Sequence, residues 1–360
     1  MSWDYTKIHP EFSYNGAVFS KLALIQKAKA LSKTGEAHEQ AIGDFLTEWL
    51  SETKTITLTT SGSTGKPKLL KLEKSHMVNS ALATLNYFKL KPGNTVLLCL
   101  PVKYIAGKML LVRAMVGGLE LTSVSPSTTP LSDQSKTYDF AAMVPLQAAS
   151  SLAHLNKIKT LILGGSSVSP SLKMKLQRVT TACYETYGMT ETITHIAVRK
   201  LNSGSNAREE QPPFKALSNV HLSTDDRNCL VIDAPLIANE QIVTNDIVTL
   251  ISDSSFYWQG RFDHIINSGG IKIIPEQLES KLALHIQNPF VLCGLPDQVL
   301  GEQLILLVEG AVNADALLQG LKTDTTLKNY EVPKEVRSLA AFVYTPNGKI
   351  KRKATIALLK

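Results

Sequence analysis

The chain has 360 residues, of which 44% are hydrophobic and 19% charged, and its 38 basic against 31 acidic residues give a net charge of +7. This composition excludes a disordered chain, a fibrous protein and a disulfide-stabilised miniprotein, and the length is typical of about two domains. The modest positive charge favours an anionic small ligand or weak nonspecific contact with nucleic acid, without establishing either.

The predicted elements begin with helices over residues 17–50, where apolar residues recur at helical spacing on both sides of a KTGEA break. A β-branched strand then leads directly into the segment SGSTGKPK at 61–68. Farther along, apolar strands alternate with helices predicted over 74–90, 105–117 and 145–154. This alternation predicts a mainly parallel sheet with helices on both faces and with candidate ligand groups at the carboxyl ends of its strands.

The texture of the sequence changes after about residue 215, where short strands punctuated by turns predict a small β-rich subdomain. Residues 264–360 combine further strands with amphipathic helices. We therefore predict an α/β fold with two domains. The large domain, residues 1–262, contains mainly parallel sheets flanked by helices together with the β-rich subdomain, and residues 263–360 form a small, mobile α+β domain.

Two observations bear on the cellular location. The four scattered cysteines are Cys99, Cys183, Cys229 and Cys293. They lack CxxC spacing, which disfavours a zinc site and suits a reducing compartment. The first residues have no apolar core of the kind a signal peptide needs, and charged residues interrupt the apolar region 95–124, so no membrane span is predicted. The expectation is a cytoplasmic protein.

The sharpest local signal is TTSGSTGKPK at 59–68. Glycines allow close backbone approach, hydroxyl and N–H groups donate to phosphate oxygens, and lysine adds positive charge. The segment is not a Walker A loop, and Pro67, which has no N–H, favours a turn between two strands over a helix start. A flexible surface turn is the alternative interpretation. The candidate phosphate-binding residues are Thr60, Ser61, Gly62, Ser63, Thr64, Gly65 and Lys66.

This loop resembles the signature of the AMP-binding superfamily, the acyl-adenylate-forming ligases. Five further segments that resemble family markers follow in the same order: LGGSSVSP at 163–170, YETYGMTE at 184–191, TND at 244–246, GRFDHIINSGGIKIIPEQLE at 260–279 and PNGKIKRKA at 346–354. Six ordered matches between residues 59 and 354 are very specific, and the resemblance covers the chain from Thr55 onward.

The resemblance implies that ATP, Mg²⁺ and coenzyme A are used, and it assigns nucleotide-binding roles to Gly164, Gly165, Ser166, Tyr187, Gly188, Thr190, Asp246 and Arg261. An aromatic ring can stack on adenine, and a carboxylate is a hard oxygen ligand for Mg²⁺. By resemblance, Thr190 contacts the α-phosphate, Glu191 binds the metal and Asp246 accepts the ribose hydroxyls. The alternatives are a solvated acid for Glu191 and a turn aspartate for Asp246.

The same resemblance extends to the C-terminal region. It makes Lys349 the catalytic lysine, whose ammonium would stabilise negative charge that develops during adenylation. Asp263 corresponds to the hinge between the two domains, although His264 stands where an acid is common. Gly269 and Gly270 resemble the turn that lines the pantetheine tunnel. The alternative for Lys349 is a solvated basic face, an interpretation we adopt for its neighbours Lys351, Arg352 and Lys353.

The acid-binding region is predicted between residues 100 and 118, where Gly107 precedes an apolar helix that contains Arg113. Burial of an unpaired guanidinium is expensive, so an anionic partner is expected. The arrangement resembles o-succinylbenzoate–CoA ligases of menaquinone synthesis, in which an arginine at this spacing holds the second carboxylate of the substrate. A surface arginine or a structural salt bridge is the alternative, and Lys103 and Lys108 are weaker candidates.

The sequence thus predicts an enzyme that activates a carboxylic acid as acyl-AMP and transfers it to coenzyme A, with o-succinylbenzoate as the leading substrate. Another aryl- or fatty-acid–CoA ligase, or an adenylating enzyme that loads a carrier protein, is the alternative. A nucleic-acid-binding protein is disfavoured because no basic stripe is interleaved with aromatics. Only 60 residues precede Ser61, fewer than is usual in the family, which leaves any homodimer contact built by that region open.

Overall fold

The computed structural model describes residues 4–60, 68–132, 135–202, 212–283, 285–345 and 349–359. The first half contains β1 (Ser13–Tyr14), β2 (Ala17–Val18), α1 (Lys21–Thr34), α2 (Ala37–Leu50), β3 (Thr55–Thr60), β4 (Lys68–Glu73), α3 (Lys74–Phe88), β5 (Thr95–Leu98), α4 (Ile105–Gly117), β6 (Glu120–Ser123), β7 (Tyr138–Met143), α5 (Pro145–Ser150), β8 (Ile158–Leu163), α6 (Pro170–Leu176) and β9 (Ala182–Gly188). The second half contains β10 (His195–Lys200), β11 (Phe214–Ala216), β12 (His221–Thr224), β13 (Cys229–Asp233), β14 (Ile242–Ser252), β15 (Ser255–Arg261), β16 (Ile266–Ser268), β17 (Ile271–Ile273), α7 (Pro275–Leu282), β18 (Phe290–Asp297), β19 (Gly301–Glu309), α8 (Ala314–Thr323), β20 (Glu335–Leu339) and α9 (Arg352–Ala357).

The two N-terminal helices begin and end where the sequence provides caps. The Ser20 hydroxyl accepts the Ala23 N–H at the start of α1, and Glu36 and Glu39 form a capping box at the start of α2. Gly35 lies at the break between them, as the KTGEA segment predicts. The apolar faces of both helices contribute to the same core as α4.

The large sheet has a parallel run at its centre. Its order β9-β8-β7-β5-β6-β1 is parallel throughout, and α4 crosses over between β5 and β6. Residues Gly107–Val116 of α4 are all buried, which explains why this helix is apolar on every side. The run places the chain after β7, β8 and β9 at one carboxyl edge, where ligands bind in open α/β sheets.

The mixed α/β fold predicted from the sequence is confirmed. The β-rich segment continues the large sheet rather than forming a sheet of its own, because β10 turns back antiparallel on β9 and β11–β15 follow in antiparallel pairing. In the described residues, this sheet ends at Arg261 and a smaller sheet, order β17-β16-β19-β18 with β20 beside β19, begins at Ile266. The helix predicted over 145–154 ends at Ser150 and is followed by a 3-10 helix over Leu152–Lys157.

Within the described ranges, no helix combines the length and the apolar character that crossing a bilayer requires.

Candidate active site

The predicted phosphate loop connects two paired strands. β3 and β4 are antiparallel, with Thr60 opposite Lys68, so the intervening residues join the two strands of a hairpin, as the sequence predicts. Residues 61–67 lie outside the described part of the chain. The predictions made for six of them therefore stay predictions: Ser61, Gly62, Ser63, Thr64, Gly65 and Lys66.

Residues 164–168, called here the adenine loop, leave the carboxyl end of β8 and include Gly164, Gly165 and Ser166, to which the resemblance assigns nucleotide binding. Gly164 donates its N–H to the Met143 carbonyl at 3.2 Å, and a Cβ at Gly164 would lie 2.6 Å from the Thr186 hydroxyl oxygen. Gly165 has φ +86°, a conformation that favours glycine, and Ser166 follows it half-buried. Gly164 is thus required because Thr186 approaches its Cα closely, and Gly165 is required because its backbone has a positive φ.

The YGMTE segment forms the end of β9 and the turn after it. Gly188 has no room for a side chain, because a Cβ there would collide with the backbone of Thr194 and His195. In the turn, Thr190 is half-buried and accepts the Ile193 N–H through its carbonyl at 3.0 Å, whereas Glu191 is exposed. The Glu191 carboxylate therefore faces solvent, where a hydrated cation could reach it.

Asp246 joins several of the predicted nucleotide residues. It is buried on β14, and its carboxylate accepts the Tyr187 hydroxyl at 2.6 Å and the Trp258 indole N–H at 3.2 Å. Arg261, opposite Asp246 on β15, places its guanidinium 3.7 Å from the same carboxylate. Burial, and then the adjacent Asp246 charge, raise the pKa of Tyr187, so this hydroxyl stays protonated.

Lys349, in the C-terminal part of the chain, is within electrostatic range of Asp246 and Arg261. It follows residues 346–348, which lie outside the described part, and its carbonyl accepts the Thr345 N–H at 2.7 Å. Desolvation lowers the pKa of the Lys349 ammonium, the charge of Asp246 opposes this, and that of Arg261 adds to it. Lys349 is exposed as a residue, yet its ammonium lies near enough to both charges to interact with them.

The segment between the two sheets contains a short 3-10 helix, Phe262–His264. Arg261 donates from Nε to the Asp263 carboxylate at 2.9 Å, and His264 contacts Glu276 of α7 through Nδ1 at 2.5 Å. Burial alone would raise the pKa of Asp263, but the hydrogen bond and charge of Arg261 outweigh it and lower that pKa.

The glycine pair Gly269 and Gly270 forms the turn of the β16–β17 hairpin. Ser268 pairs with Ile271, and the two glycines have φ +60° and +81°, as a two-residue hairpin turn requires. The Gly269 N–H donates to the Leu300 carbonyl at 2.8 Å, which fixes the turn against the loop before β19.

Arg113 is buried on α4 with few partners. Only 1% of its surface is exposed, its Nε has no hydrogen-bond partner, and Nη2 lies 3.5 Å from the Thr194 hydroxyl. Burial lowers its pKa to about 9. Its burial contradicts the surface-arginine alternative. Among the described residues Arg113 forms no ion pair within 4 Å, whereas Asp133, Glu209 and Glu210 lie outside them, so the alternative of a structural salt bridge is not tested.

The histidine near Arg113 adds no second positive charge. His195 is buried, and burial together with the Arg113 charge holds its pKa well below the usual value, so the imidazole is neutral. Gly107 at the start of α4 is required by close approach, since a Cβ there would lie 2.6 Å from the Pro101 carbonyl oxygen. The weaker candidate Lys108 lies over the Phe45 ring at 4.5 Å.

Sequence reasoning missed three residues of this region: Trp258, which donates to Asp246, and the pair Glu185 and Arg199 beside the adenine loop. Glu185 lies within the YETYGMTE segment, but the resemblance assigns no role to it, and Trp258 and Arg199 lie in none of the recognised segments. Each of the three acts on a partner at least 12 residues away, so local pattern does not reveal its role. Among the described residues, no group of three His, Cys, Asp or Glu side chains could hold a metal ion.

Comparisons with known proteins agree on the family to which the chain is similar. A model for the AMP-binding enzyme family matches residues 17–220. The 2-succinylbenzoate–CoA ligase of Listeria monocytogenes is 24% identical over 86% of this chain and 71% of its own length. A linear gramicidin synthase of Brevibacillus parabrevis is also 24% identical over 82% of this chain, but the match spans 4% of that much longer protein.

Solved structures show the same likeness. An acyl-CoA synthetase (AMP-forming)/AMP-acid ligase II-like protein from Dyadobacter fermentans is 32% identical, with a TM-score of 0.61 and coverage of 95% of this chain and 99% of that one. The o-succinylbenzoate coenzyme A synthetase of Bacillus subtilis, solved with ATP and magnesium, is 18% identical, with a TM-score of 0.74 and coverage of 93% and 82%. At 18% identity, the similarity to the Bacillus subtilis enzyme is a similarity of fold.

Proposed function

Because the chain belongs to the AMP-binding enzyme family, we propose that it activates a carboxylic acid at the expense of ATP and passes the acyl group to coenzyme A. A carboxylate oxygen attacks the α-phosphorus, and the bond to pyrophosphate breaks to give acyl-AMP. The coenzyme A thiol, losing its proton, then attacks the acyl carbon and AMP leaves. Each step exchanges one leaving group for one nucleophile, so no oxidant or reductant is needed.

On this proposal, ATP lies against the carboxyl edge of the parallel run. Asp246 accepts the ribose hydroxyls, because a buried carboxylate already oriented by Tyr187 and Trp258 costs little further entropy to position. Thr190 contacts the α-phosphate, and the exposed carboxylate of Glu191 would bind Mg²⁺ together with phosphate oxygens. Magnesium supplies charge neutralisation when bound. Adenine lies between the adenine loop, where backbone groups of Gly164, Gly165 and Ser166 contact its edge, and the Tyr187 ring, which stacks on its face. The phosphate loop completes the nucleotide site.

The single observation that carries the choice of acid is the buried, incompletely hydrogen-bonded guanidinium of Arg113. An uncompensated buried charge is expensive, and a carboxylate bound beside it would supply the missing charge and acceptors. We therefore propose a dicarboxylate substrate, with o-succinylbenzoate first among them. The named ligase of Listeria monocytogenes supports the same choice.

The acid is tested by pyrophosphate release across a panel of acids, with and without coenzyme A. The decisive pair is o-succinylbenzoate and benzoylpropionate, which has the same acyl chain but lacks the ring carboxylate. We expect a strong preference for the dicarboxylate and thioester formation when coenzyme A is present. Equal rates with the two acids would contradict the proposed substrate. If pyrophosphate is released but the acyl-AMP does not react with coenzyme A, the result would favour an enzyme that loads a carrier protein.

We further propose that residues 1–262 and 263–360 act as two domains that rotate about Asp263. Asp263→Pro is expected to spare acyl-AMP formation and to slow transfer to coenzyme A by about tenfold, because proline fixes φ and restricts the preceding residue. The two half-reactions are measured separately by rapid quench. Asp263→Ala is the matched control, since it removes the carboxylate bonded to Arg261 but leaves the torsion free. Normal turnover of the proline variant would contradict the hinge.

A further inference from the structure

A buried carboxylate outside the proposed machinery lies directly beside the adenine loop. Glu185 on β9 is 4% exposed, and one of its oxygens accepts the Arg199 Nε–H at 2.8 Å while Nη2 lies 2.7 Å away. The Lys173 ammonium is 3.6 Å from the same oxygen. The other carboxylate oxygen accepts the buried backbone N–H of Val168 at 3.0 Å.

The bond to Val168 fixes the adenine loop at its far end. Gly164 is held at the near end by its own N–H bond to the Met143 carbonyl. Between these two anchors are Gly165, Ser166 and Ser167, and the proposed function places the first two of them at the base. A charge-assisted bond to a backbone N–H is stronger than a neutral one, so Glu185 determines where this short segment lies.

The same carboxylate also acts on the other side of the proposed base site. It orients Arg199, whose guanidinium lies 4.3 Å from the centre of the Phe214 ring. Phe214 in turn contacts Tyr187, with ring centres 5.9 Å apart. The interactions of one buried side chain therefore extend from the loop proposed to contact the adenine edge to the ring proposed to stack on its face.

We propose that Glu185 is a positioning residue for the nucleotide base, which holds the 164–168 loop and the Tyr187 ring at a fixed separation. The role rests on the proposed function, because that function places adenine between them. Glu185 does not contact the nucleotide. Its loss therefore weakens binding of the base while phosphate and acid contacts persist.

The test is equilibrium binding of AMP and ATP to the whole chain by calorimetry. Glu185→Gln keeps an acceptor for Val168 but removes the charge that orients Arg199, and we expect its dissociation constant for AMP to rise about fivefold. Glu185→Ala removes both interactions, and a rise of about 20-fold is expected. The preference for ATP over GTP should fall in parallel, whereas the KM for the acid should change less than about twofold.

The chain contains a matched control in its smaller sheet. Glu279 also accepts two bonds from an arginine, Arg352, at 2.8 Å each, and one from a backbone N–H, that of Leu292, at 2.7 Å. The interpretation of Arg352 as part of a solvated basic face is therefore wrong, because its guanidinium is largely buried in this ion pair. Glu279→Gln is expected to lower the thermal midpoint about as much as Glu185→Gln without changing the AMP dissociation constant.

Two outcomes would overturn the proposal. If a folded Glu185→Gln protein bound AMP with the same dissociation constant as the wild type, Glu185 would have a structural role only. Should Glu185→Ala fail to fold, Arg199→Lys tests the same connection, because lysine cannot reproduce the two-nitrogen contact. Failure of the wild-type protein to bind any adenine nucleotide would overturn the proposed function as well, so the two failures are distinguishable.

Discussion

Replacing Lys349 by alanine is expected to slow acyl-AMP formation by about 10²–10³-fold, the loss typical of removing one preorganised donor at a developing negative charge. Thioester formation from added acyl-AMP should be nearly unchanged. Lys349 interacts electrostatically with Asp246 and Arg261, which the proposed function places at the ribose of ATP. On that proposal its ammonium acts where the carboxylate oxygen meets the α-phosphorus, and thiol attack follows after this charge has been dispersed.

The experiment measures pyrophosphate release and thioester formation separately in the same preparation. Lys351→Ala and Lys353→Ala are the matched controls, because both remove an exposed lysine from the same basic segment, and both should leave the two rates unchanged. Equal losses in both half-reactions of Lys349→Ala would contradict its assignment to adenylation.

The lowered pKa of Lys349 also predicts a pH dependence. On the proposed function the ammonium is the active form. Its pKa is lowered, so it loses its proton at a lower pH than an ordinary lysine, because desolvation and the charge of Arg261 disfavour the protonated form. Acyl-AMP formation should therefore decline as the pH rises into the alkaline range. Lys349→Arg should remove this decline, since a guanidinium stays protonated there. A decline that persists in the arginine variant would place the titrating group elsewhere.

The sequence predicts those parts of the site that depend on local chemistry. The glycines of the adenine loop are predictable from residue type, and the structure gives Gly164 and Gly165 a steric and a torsional reason respectively. The burial of Arg113 follows from an apolar helix that leaves no polar face for it. These features can be predicted from the sequence because each is caused by residues of a single helix or loop.

Contacts that join distant elements could not be predicted. The bond between Tyr187 and Asp246 spans 59 residues, and it depends on β10 turning the parallel run into an antiparallel one. The same pairing makes the β-rich segment a continuation of the large sheet. Strand order of this kind is set by long-range packing rather than by the pattern within each strand, so sequence periodicity leaves it open.

Replacing Arg113 should have the largest effect on the choice of acid. Arg113→Ala is expected to raise the KM for o-succinylbenzoate by about 30-fold to several-thousand-fold, because losing one side of a desolvated charge pair costs about 2–5 kcal/mol. The KM for ATP should be nearly unchanged, since Asp246, Arg261 and Thr190 are intact. The preference for o-succinylbenzoate over benzoylpropionate should disappear, because that preference is the energy of one ion pair.

The alanine variant also leaves a cavity under α4, so the comparison needs variants that separate charge from volume. Arg113→Met fills the space with an apolar side chain and should lose the preference as fully as alanine does, while Arg113→Lys should retain part of it through its remaining charge. Lys108→Met removes a different buried charge from the same helix, one that lies over Phe45, and should keep the preference. A folded Arg113→Met enzyme that still favours the dicarboxylate by the wild-type factor would contradict the assignment, because no charge would then remain at this position to recognise the second carboxylate.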